Sequence, residues 1–298
     1  MNKPLILVTG ATGKTGQPVV RQLLERGYPV RAFVHRLDER SERLADLGAE
    51  VVVGDFQDLE SVRRAMKGVQ RVYFCFPPFD GLLKAAANVA IAARDEGVEG
   101  LVNMSQISAR EHTKSALAFQ HWQSEQVLDW AGIGASHVNP TFFAEDLYLF
   151  TGQSILEEGK MVLPFGEGKH APVAAEDIAR VVAGILEDPQ PHAGRRYFIT
   201  GPKEMKMAEM AEVLSSQLGR PIEYVDLPIQ HWQQALAGKA GFPEFLVSHL
   251  GAVALDHQEG VFSGVSDVAE RIGGKAPQSL ERFISANPEA FGVQPVRL

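Results

Sequence analysis

A single cysteine, Cys75, stands among 298 residues, so no internal disulfide can form. Its apolar, strand-like neighbours mark it as a core residue. No apolar run reaches the roughly 18 residues that a membrane span needs. No apolar signal core precedes the glycine-rich stretch that begins at Thr9. Long basic runs are absent too: 37 acidic against 29 basic residues give a formal charge of −8, which argues against a nucleic-acid backbone as a partner. There is no internal repeat, no low-complexity tract and no long linker. These absences lead us to expect a cytoplasmic protein that touches neither membrane nor nucleic acid. What is present is 45% apolar content, enough for a full core, and length for one large domain or one and a half.

The chain is organised around Thr9-Gly10-Ala11-Thr12-Gly13-Lys14-Thr15-Gly16. The apolar run Leu5–Val8 precedes it and the amphipathic run Gln17–Glu25 follows, an order that reads strand, tight turn, helix. Gly10 turns the chain off the strand, Gly13 leaves room for a pyrophosphate, and Gly16 lets the helix pack close to the sheet. The first helical N–H groups then face the anion, with Thr12, Lys14 and Thr15 around it. An ordinary glycine-rich turn is the plainer alternative.

Strands and helices alternate from there. A second strand, Val30–His35, ends at Arg36, where NAD-specific folds carry an acidic group for the ribose. Arg36, helped by Arg40, can pair with a 2′-phosphate instead; a solvated arginine is the alternative, and Asp38 nearby keeps NAD in play. After a short helix (Ser41–Leu47) and a third strand (Glu50–Val53), Asp55 can accept from an adenine amino group while Phe56 covers the ring. Asp55 can equally cap the next helix, a role for which Asp58 competes. Strand four, Arg71–Phe76, runs into Pro77-Pro78-Phe79, where Phe76 and Pro77 face the cofactor and Phe76 and Phe79 either wall a flat ligand or cap the core.

A helix over Leu82–Glu96 leads to strand five, Leu101–Met104. Ser105 follows, placed to hydrogen-bond a substrate carbonyl, with Gln106 beside it on the substrate side. The helix Ala116–Ala131 carries His121 and Glu125 on one face, but two ligands make no metal site. Strand six, Ala135–Val138, precedes Pro140 and Thr141 on the cofactor side and Phe142 and Phe143 on the substrate side.

Farther on, turns at 158–160 and 164–169 suggest a short hairpin-like pair. A helix over Val173–Leu186 has Glu176 and Asp177 in its first turn, where the dipole favours them, and Arg196–Ile199 is a strand. The remainder is mostly helical (Met205–Leu218, Gln230–Leu236, Phe245–Leu255, Leu280–Ser285) around one strand, Glu223–Leu227. The expected fold is α/β: a Rossmann-type, doubly wound parallel sheet with a smaller, mostly helical C-terminal lobe. Residues 1–150, completed by 173–200, form the NAD(P)-binding domain, and 201–298 with 151–172 form the substrate-side lobe.

The spacing G-x-x-G-x-x-G resembles the short-chain dehydrogenase superfamily, whose reductases mostly use a tyrosine acid with a lysine four residues later. That pair is absent. The residues four beyond Tyr28, Tyr73, Tyr148, Tyr197 and Tyr224 are Ala32, Pro77, Gly152, Gly201 and Pro228. Aligning Glu125–Leu128 with the end of the usual catalytic helix puts Leu117 at the tyrosine position and His121 at the lysine position. Together with V-T-G-A-T-G-K-T-G (Val8–Gly16), V-R-A-F-V-H-R (Val30–Arg36), G-A-E-V-V-V-G-D-F-Q-D (Gly48–Asp58) and Asn139-Pro140-Thr141-Phe142-Phe143, this resembles the NmrA-like family of atypical short-chain dehydrogenases. A weaker match is Val173–Ala179.

The resemblance covers about the first two hundred residues. It implies NADP(H) binding, with NAD(H) possible, and Pro140-Thr141 beside the nicotinamide. It also implies one of two functions. The first is a reductase of a quinone or similar small conjugated acceptor, in which the missing tyrosine is tolerable and His121 relays a proton or simply packs. The second is a non-catalytic redox sensor acting through a protein partner. An epimerase is disfavoured, because sugar chemistry in that branch needs the tyrosine.

Overall fold

In the structure, a computed structural model, residues 3–238 and 241–291 are described. The apolar run ahead of the glycine loop is β1 (Ile6–Val8), buried along its length, and the amphipathic run after it is α1 (Gly16–Glu25). Val19, Val20 and Leu23 of α1 are fully buried; burial of such side chains contributes about 1.5–3 kcal/mol each. The alternation continues through β2 (Val30–Val34), α2 (Glu39–Asp46), β3 (Glu50–Val53), α3 (Leu59–Met66), β4 (Arg71–Phe74), α4 (Leu82–Glu96), β5 (Gly100–Met104), α5 (Ala116–Trp130) and β6 (Ala135–Pro140). Then come α6 (Ala144–Glu158), β7 (Lys160–Leu163), β8 (Lys169–His170), α7 (Ala175–Glu187), β9 (Arg196–Ile199), β10 (Met205–Lys206), α8 (Met207–Leu218), β11 (Glu223–Asp226), α9 (Ile229–Gly238), α10 (Glu244–Gln258), α11 (Val268–Arg271) and α12 (Leu280–Ala286).

These elements form two compact units. The described residues of the first fall within 3–139, 175–198 and 268–275. Its seven-stranded sheet has the order β3-β2-β1-β4-β5-β6-β9. The ladders from β3 to β6 are parallel. The His137 N–H donates to Arg195 O and the Gly194 N–H to Ala135 O, which ties the start of β9 to β6. Helices α1, α2 and α7 pack as one layer and α3, α4 and α5 as another. This is the doubly wound, Rossmann-type arrangement, with the order reversing at β1 and β4, where ligands of such folds sit beyond the carboxyl ends of the strands. Glu176 does more than sit in the first turn of α7: its carboxylate accepts from Arg21 of α1 at 2.6 Å, and Asp177 is buried against Arg180.

Strand β4 stops two residues short of the expected Phe76. The Cys75 N–H donates to the Thr9 hydroxyl at 2.8 Å, so a side chain takes the place of the next ladder bond.

The described residues of the second unit fall within 140–174, 199–267 and 276–291. The hairpin expected near 158–169 does not form. Strand β7 instead pairs in parallel with β11, and β8 pairs antiparallel with β10. The five residues from Pro164 to Gly168 are longer than the two-residue turns that favour a tight hairpin. Met205 and Lys206, expected to open a helix, form β10; the helix begins at Met207 because Glu209 accepts from the Lys206 N–H at 2.7 Å. The core of this unit is aromatic: Phe165 lies edge-on to Phe142 and flat against His257, and Trp232 packs on Phe150.

Among the described residues, no helix is long and apolar enough to cross a membrane, and no group of three or more His, Cys, Asp or Glu side chains could hold a metal ion.

Candidate functional site

The loop between β1 and α1 is shaped by contacts that only glycine permits. Gly10 has φ +57°, and a Cβ there would lie 2.9 Å from Cys75 O. At Gly16 a Cβ would lie 2.1 Å from Gly10 O. Gly16 therefore allows the loop to close on itself; its close neighbour is the loop backbone, where a sheet contact was expected. Gly13 and Lys14 are exposed, and among the described residues a Cβ at Gly13 would meet Gly10 O at 3.0 Å. Gln17 Nε2 donates to Thr12 O at 3.0 Å. Thr15 is the N-cap of α1, yet its hydroxyl does not cap: it meets Tyr73 Oη at 2.9 Å, with Cys75 Sγ 3.9 Å away. Desolvation pushes both the Tyr73 hydroxyl and the Cys75 thiol up, so both are protonated at neutral pH.

Around this loop, the Arg36 side chain is 76% exposed, its Nε 3.9 Å from Asp38. Asp38 is occupied otherwise. Its carboxylate caps α2 through the Arg40 and Ser41 N–H groups and receives the Arg40 guanidinium at 2.6 Å. The hydrogen bond from Arg40 holds the Asp38 carboxyl below its usual range. Asp55 Oδ1 accepts from the Gln57 N–H at 2.8 Å in a local turn, and Asp58 is the residue that caps α3. Phe56 sits among the rings of Phe33, Phe74 and Phe76, with Asn88 donating to its carbonyl at 2.7 Å. Pro77 and Phe79 are exposed.

At the end of β5, the Ser105 N–H donates to Val138 O at 2.8 Å, and its buried hydroxyl has no partner among the described residues. The buried Ser108 hydroxyl is in the same state. Gln106, half-buried between them, has a carbonyl that accepts from Asn139 Nδ2 at 3.1 Å and from the Ala109 N–H at 3.0 Å. On α5, His121 is 9% exposed, and Leu117, aligned with the missing tyrosine, is in the core at 1%. Glu125 is buried and doubly engaged, accepting from Asn139 Nδ2 at 2.8 Å and from Arg196 Nε at 2.9 Å. Arg196 also reaches Asp129 at 2.7 Å, and Asp129 accepts from His137 at 2.9 Å. Burial opposes the Asp129 charge, but the bonds from His137 and Arg196 outweigh it and lower the carboxyl. The Asn139 and Arg196 contacts escaped the sequence reading. The one local signal is that Glu125 and Asp129 stand four apart, hence on one face of α5.

In the second unit, Pro140 and Thr141 are buried and the Thr141 N–H donates to Ile199 O at 3.0 Å. Phe142 is 7% exposed and turned into the aromatic core, edge-on to Phe165 and His170. Phe143 opens α6 and bridges to Val173.

A family model described as the NmrA-like family matches residues 2–284. An NAD(P)H azoreductase of Xenophilus azovorans is 30% identical, over 97% of this chain and 99% of its own. Quinone oxidoreductase 2 of Escherichia coli (strain K12) is 25% identical over 94% and 98%. The crystal structure of a Citrobacter sp. triphenylmethane reductase complexed with NADP(H) superposes with a TM-score of 0.83 at 26% identity, covering 94% of this chain and 99% of that one.

Proposed function

The chain belongs to the NmrA-like family, and from that premise we propose that it is an NAD(P)H-dependent oxidoreductase that prefers NADPH and reduces a quinone or similar conjugated acceptor. The observation that carries this reading is the loop from Gly10 to Gly16. Two close approaches exclude any Cβ at its ends, while Gly13 between them is exposed. Such a cradle at a helix N-terminus fits a pyrophosphate. Two relatives, one named for NAD(P)H and one with bound NADP(H), support that class of cofactor, and a third, named a quinone oxidoreductase, supports the class of acceptor.

In this reading Thr12, Gly13, Lys14, Thr15 and Gly16 hold the pyrophosphate, and Asp55 and Phe56 flank the adenine. Phe76 and Pro77 complete the cofactor's surroundings. Arg36 pairs with the 2′-phosphate: it is exposed, and the neighbouring carboxylate of Asp38 is engaged by Arg40 and by α2. The bound cofactor supplies a hydride. The chain orients the acceptor. The Ser105 hydroxyl, buried and without a protein partner among the described residues, donates to an acceptor oxygen. Gln106 and Phe79 are assigned to the acceptor side, and the His121 imidazole relays a proton. No Tyr-x-x-x-Lys pair exists in the chain. A quinone delocalises the charge it gains, so its reduction depends less on a strong protein acid than that of a simple ketone.

The test is oxidation of NADPH by the purified protein with a panel of quinones and azo dyes, against a control without acceptor. Turnover with a quinone is expected. Tight NADPH binding with no turnover across the panel would overturn the reductase reading in favour of a sensor with a protein partner. Arg36→Ala is expected to weaken NADPH by about one to two decades, the worth of a charge-assisted bond, and to leave NADH nearly unchanged. Equal loss for both cofactors would remove the 2′-phosphate assignment.

A further inference from the structure

We infer that Glu125 and Asn139 are positioning residues that aim the segment Ser105–Ser108 from behind, with Arg196 as their anchor; the catalytic part of this inference rests on the reductase reading above. Asn139 Nδ2 donates to two acceptors, Gln106 O at 3.1 Å and Glu125 Oε1 at 2.8 Å. Because both partners can only accept, the orientation of the amide is determined and its oxygen faces away. The other Glu125 oxygen accepts from Arg196 Nε at 2.9 Å. Each link therefore sets the polarity of the next: Arg196 holds Glu125, Glu125 orients the Asn139 amide, and that amide holds the Gln106 carbonyl.

The Gln106 carbonyl is a useful place to pull. It also accepts from the Ala109 N–H, which closes a turn over residues 106–109. Fixing this one oxygen fixes the backbone between the two buried hydroxyls of Ser105 and Ser108. The three side chains come from three elements, α5, the end of β6 and the start of β9. Glu125 is 2% exposed at its side chain and Arg196 43%. The relay thus runs from a half-exposed cation to a loop at the carboxyl end of the sheet.

Glu125→Gln tests it, because the shape is kept while the polarity is not. Glutamine offers one acceptor where glutamate offers two. If its oxygen faces Arg196, its amide faces the Asn139 amide, which must then turn and release Gln106. Asn139→Leu removes the donor outright and leaves the Glu125–Arg196 pair intact, so it serves if the first variant folds poorly. Hydrogen exchange over residues 106–109 should quicken about tenfold in either variant, as for one lost hydrogen bond. With a quinone, kcat should fall about tenfold or more, while the Kd for NADPH stays within about twofold, since orientation is lost and binding is not.

Unchanged exchange over 106–109 in both folded variants would overturn the relay. Faster exchange with unchanged kcat would overturn its role in turnover. A parallel loss of NADPH affinity and melting temperature would reduce it to a structural role. Should the unaltered protein turn over no quinone, the exchange result still decides whether the relay holds the loop, and only the reductase reading falls.

Discussion

The two units hold buried polar clusters of opposite kinds. In the first unit one cluster is charged and linked: Glu125 and Asp129 share Arg196, and Asp129 accepts from His137, whose other ring nitrogen accepts from Asn103. In the second unit another is a pair of neutral imidazoles in an aromatic shell. His170 Nδ1 and His257 Nε2 meet at 2.6 Å, both rings are fully buried, and Phe165 stacks on His257 at 4.3 Å. A charge inside a protein is tolerable when its partners replace water, and an imidazole is tolerable when it stays uncharged. The first arrangement holds its shape across pH but fails when one partner is lost. The second accepts the loss of a hydrogen bond more easily but fails in acid. The tryptophans allow the two to be watched separately: Trp232 lies in the aromatic core of the second unit, and Trp122 on α5 in the first. Proteins keeping one or the other, with the remaining tryptophans replaced by phenylalanine, give a reporter for each.

The largest effect should come from the aromatic shell itself. Phe165 is 1% exposed and touches Phe142, Trp232 and His257. Phe165→Ala should lower the stability reported by Trp232 by about 3–5 kcal/mol in urea denaturation, the cost of an aromatic-sized cavity. A loss below about 1 kcal/mol would mean that the shell collapses to fill the gap and that the imidazoles are not held by it.

Acid comes next. Desolvation holds the pKa of His257 at about 4, and pushes that of His170 down as well. Above the unfolded value of about 6.5 neither state is protonated; between there and about 4 only the unfolded chain takes up the proton, so stability falls with pH by about 3 kcal/mol from His257. The Asp129 carboxyl of the first unit is lowered, so its contribution is present above the unfolded value near 4 and is lost only below it. Half-buried His192 gives the first unit a slope in the higher window, since desolvation lowers it too. Trp232 should therefore report a steep loss between pH 6.5 and about 4, and Trp122 a shallower one. A flat Trp232 profile over that range would remove the contrast.

Breaking the charged network should cost less than either. Arg196→Met leaves Glu125 buried without its cation. Loss of one partner of a buried pair costs about 3–5 kcal/mol, but Arg196 is 43% exposed and water screens it, so about 2 kcal/mol is expected from Trp122. A loss below about 0.5 kcal/mol would show that the network stands without its arginine.

Much of this frame could be read from the chain before its structure, and the reasons it could or could not are physical. Alternating strands and helices leave local periodic marks, so β3, α4 and β9 begin and end where the pattern places them. Positive φ at Gly10 was readable from a tight turn after a strand. The neighbour of Gly16 was not, because a loop that folds onto its own carbonyl has no periodic signature. Strands β8 and β10 span two residues each and find each other across 35 positions, too short and too distant for any pattern. The Glu125, Asn139 and Arg196 side chains meet only after three elements have packed, and no spacing rule links them.

The smallest effect isolates a neutral bond inside the charged unit. Tyr73 is fully buried, and its hydroxyl meets Thr15 Oγ1 at 2.9 Å under the glycine loop. Tyr73→Phe keeps the ring and removes the oxygen, leaving the Thr15 hydroxyl with the thiol of Cys75 at 3.9 Å as its nearest replacement. The expected loss of stability is about 1 kcal/mol, as for one buried hydrogen bond between neutral groups, with no pH dependence from 5 to 8. Because Thr15 is the N-cap of α1, the bond also steadies the loop. NADPH affinity should therefore fall by less than about tenfold, in proportion to that same energy. If stability falls and affinity does not, the hydroxyl pair belongs to the core alone. If affinity falls by several decades, the loop depends on Tyr73 more than one neutral bond allows, and the contrast between the charged cluster of the first unit and the imidazole pair of the second would have to be redrawn around it.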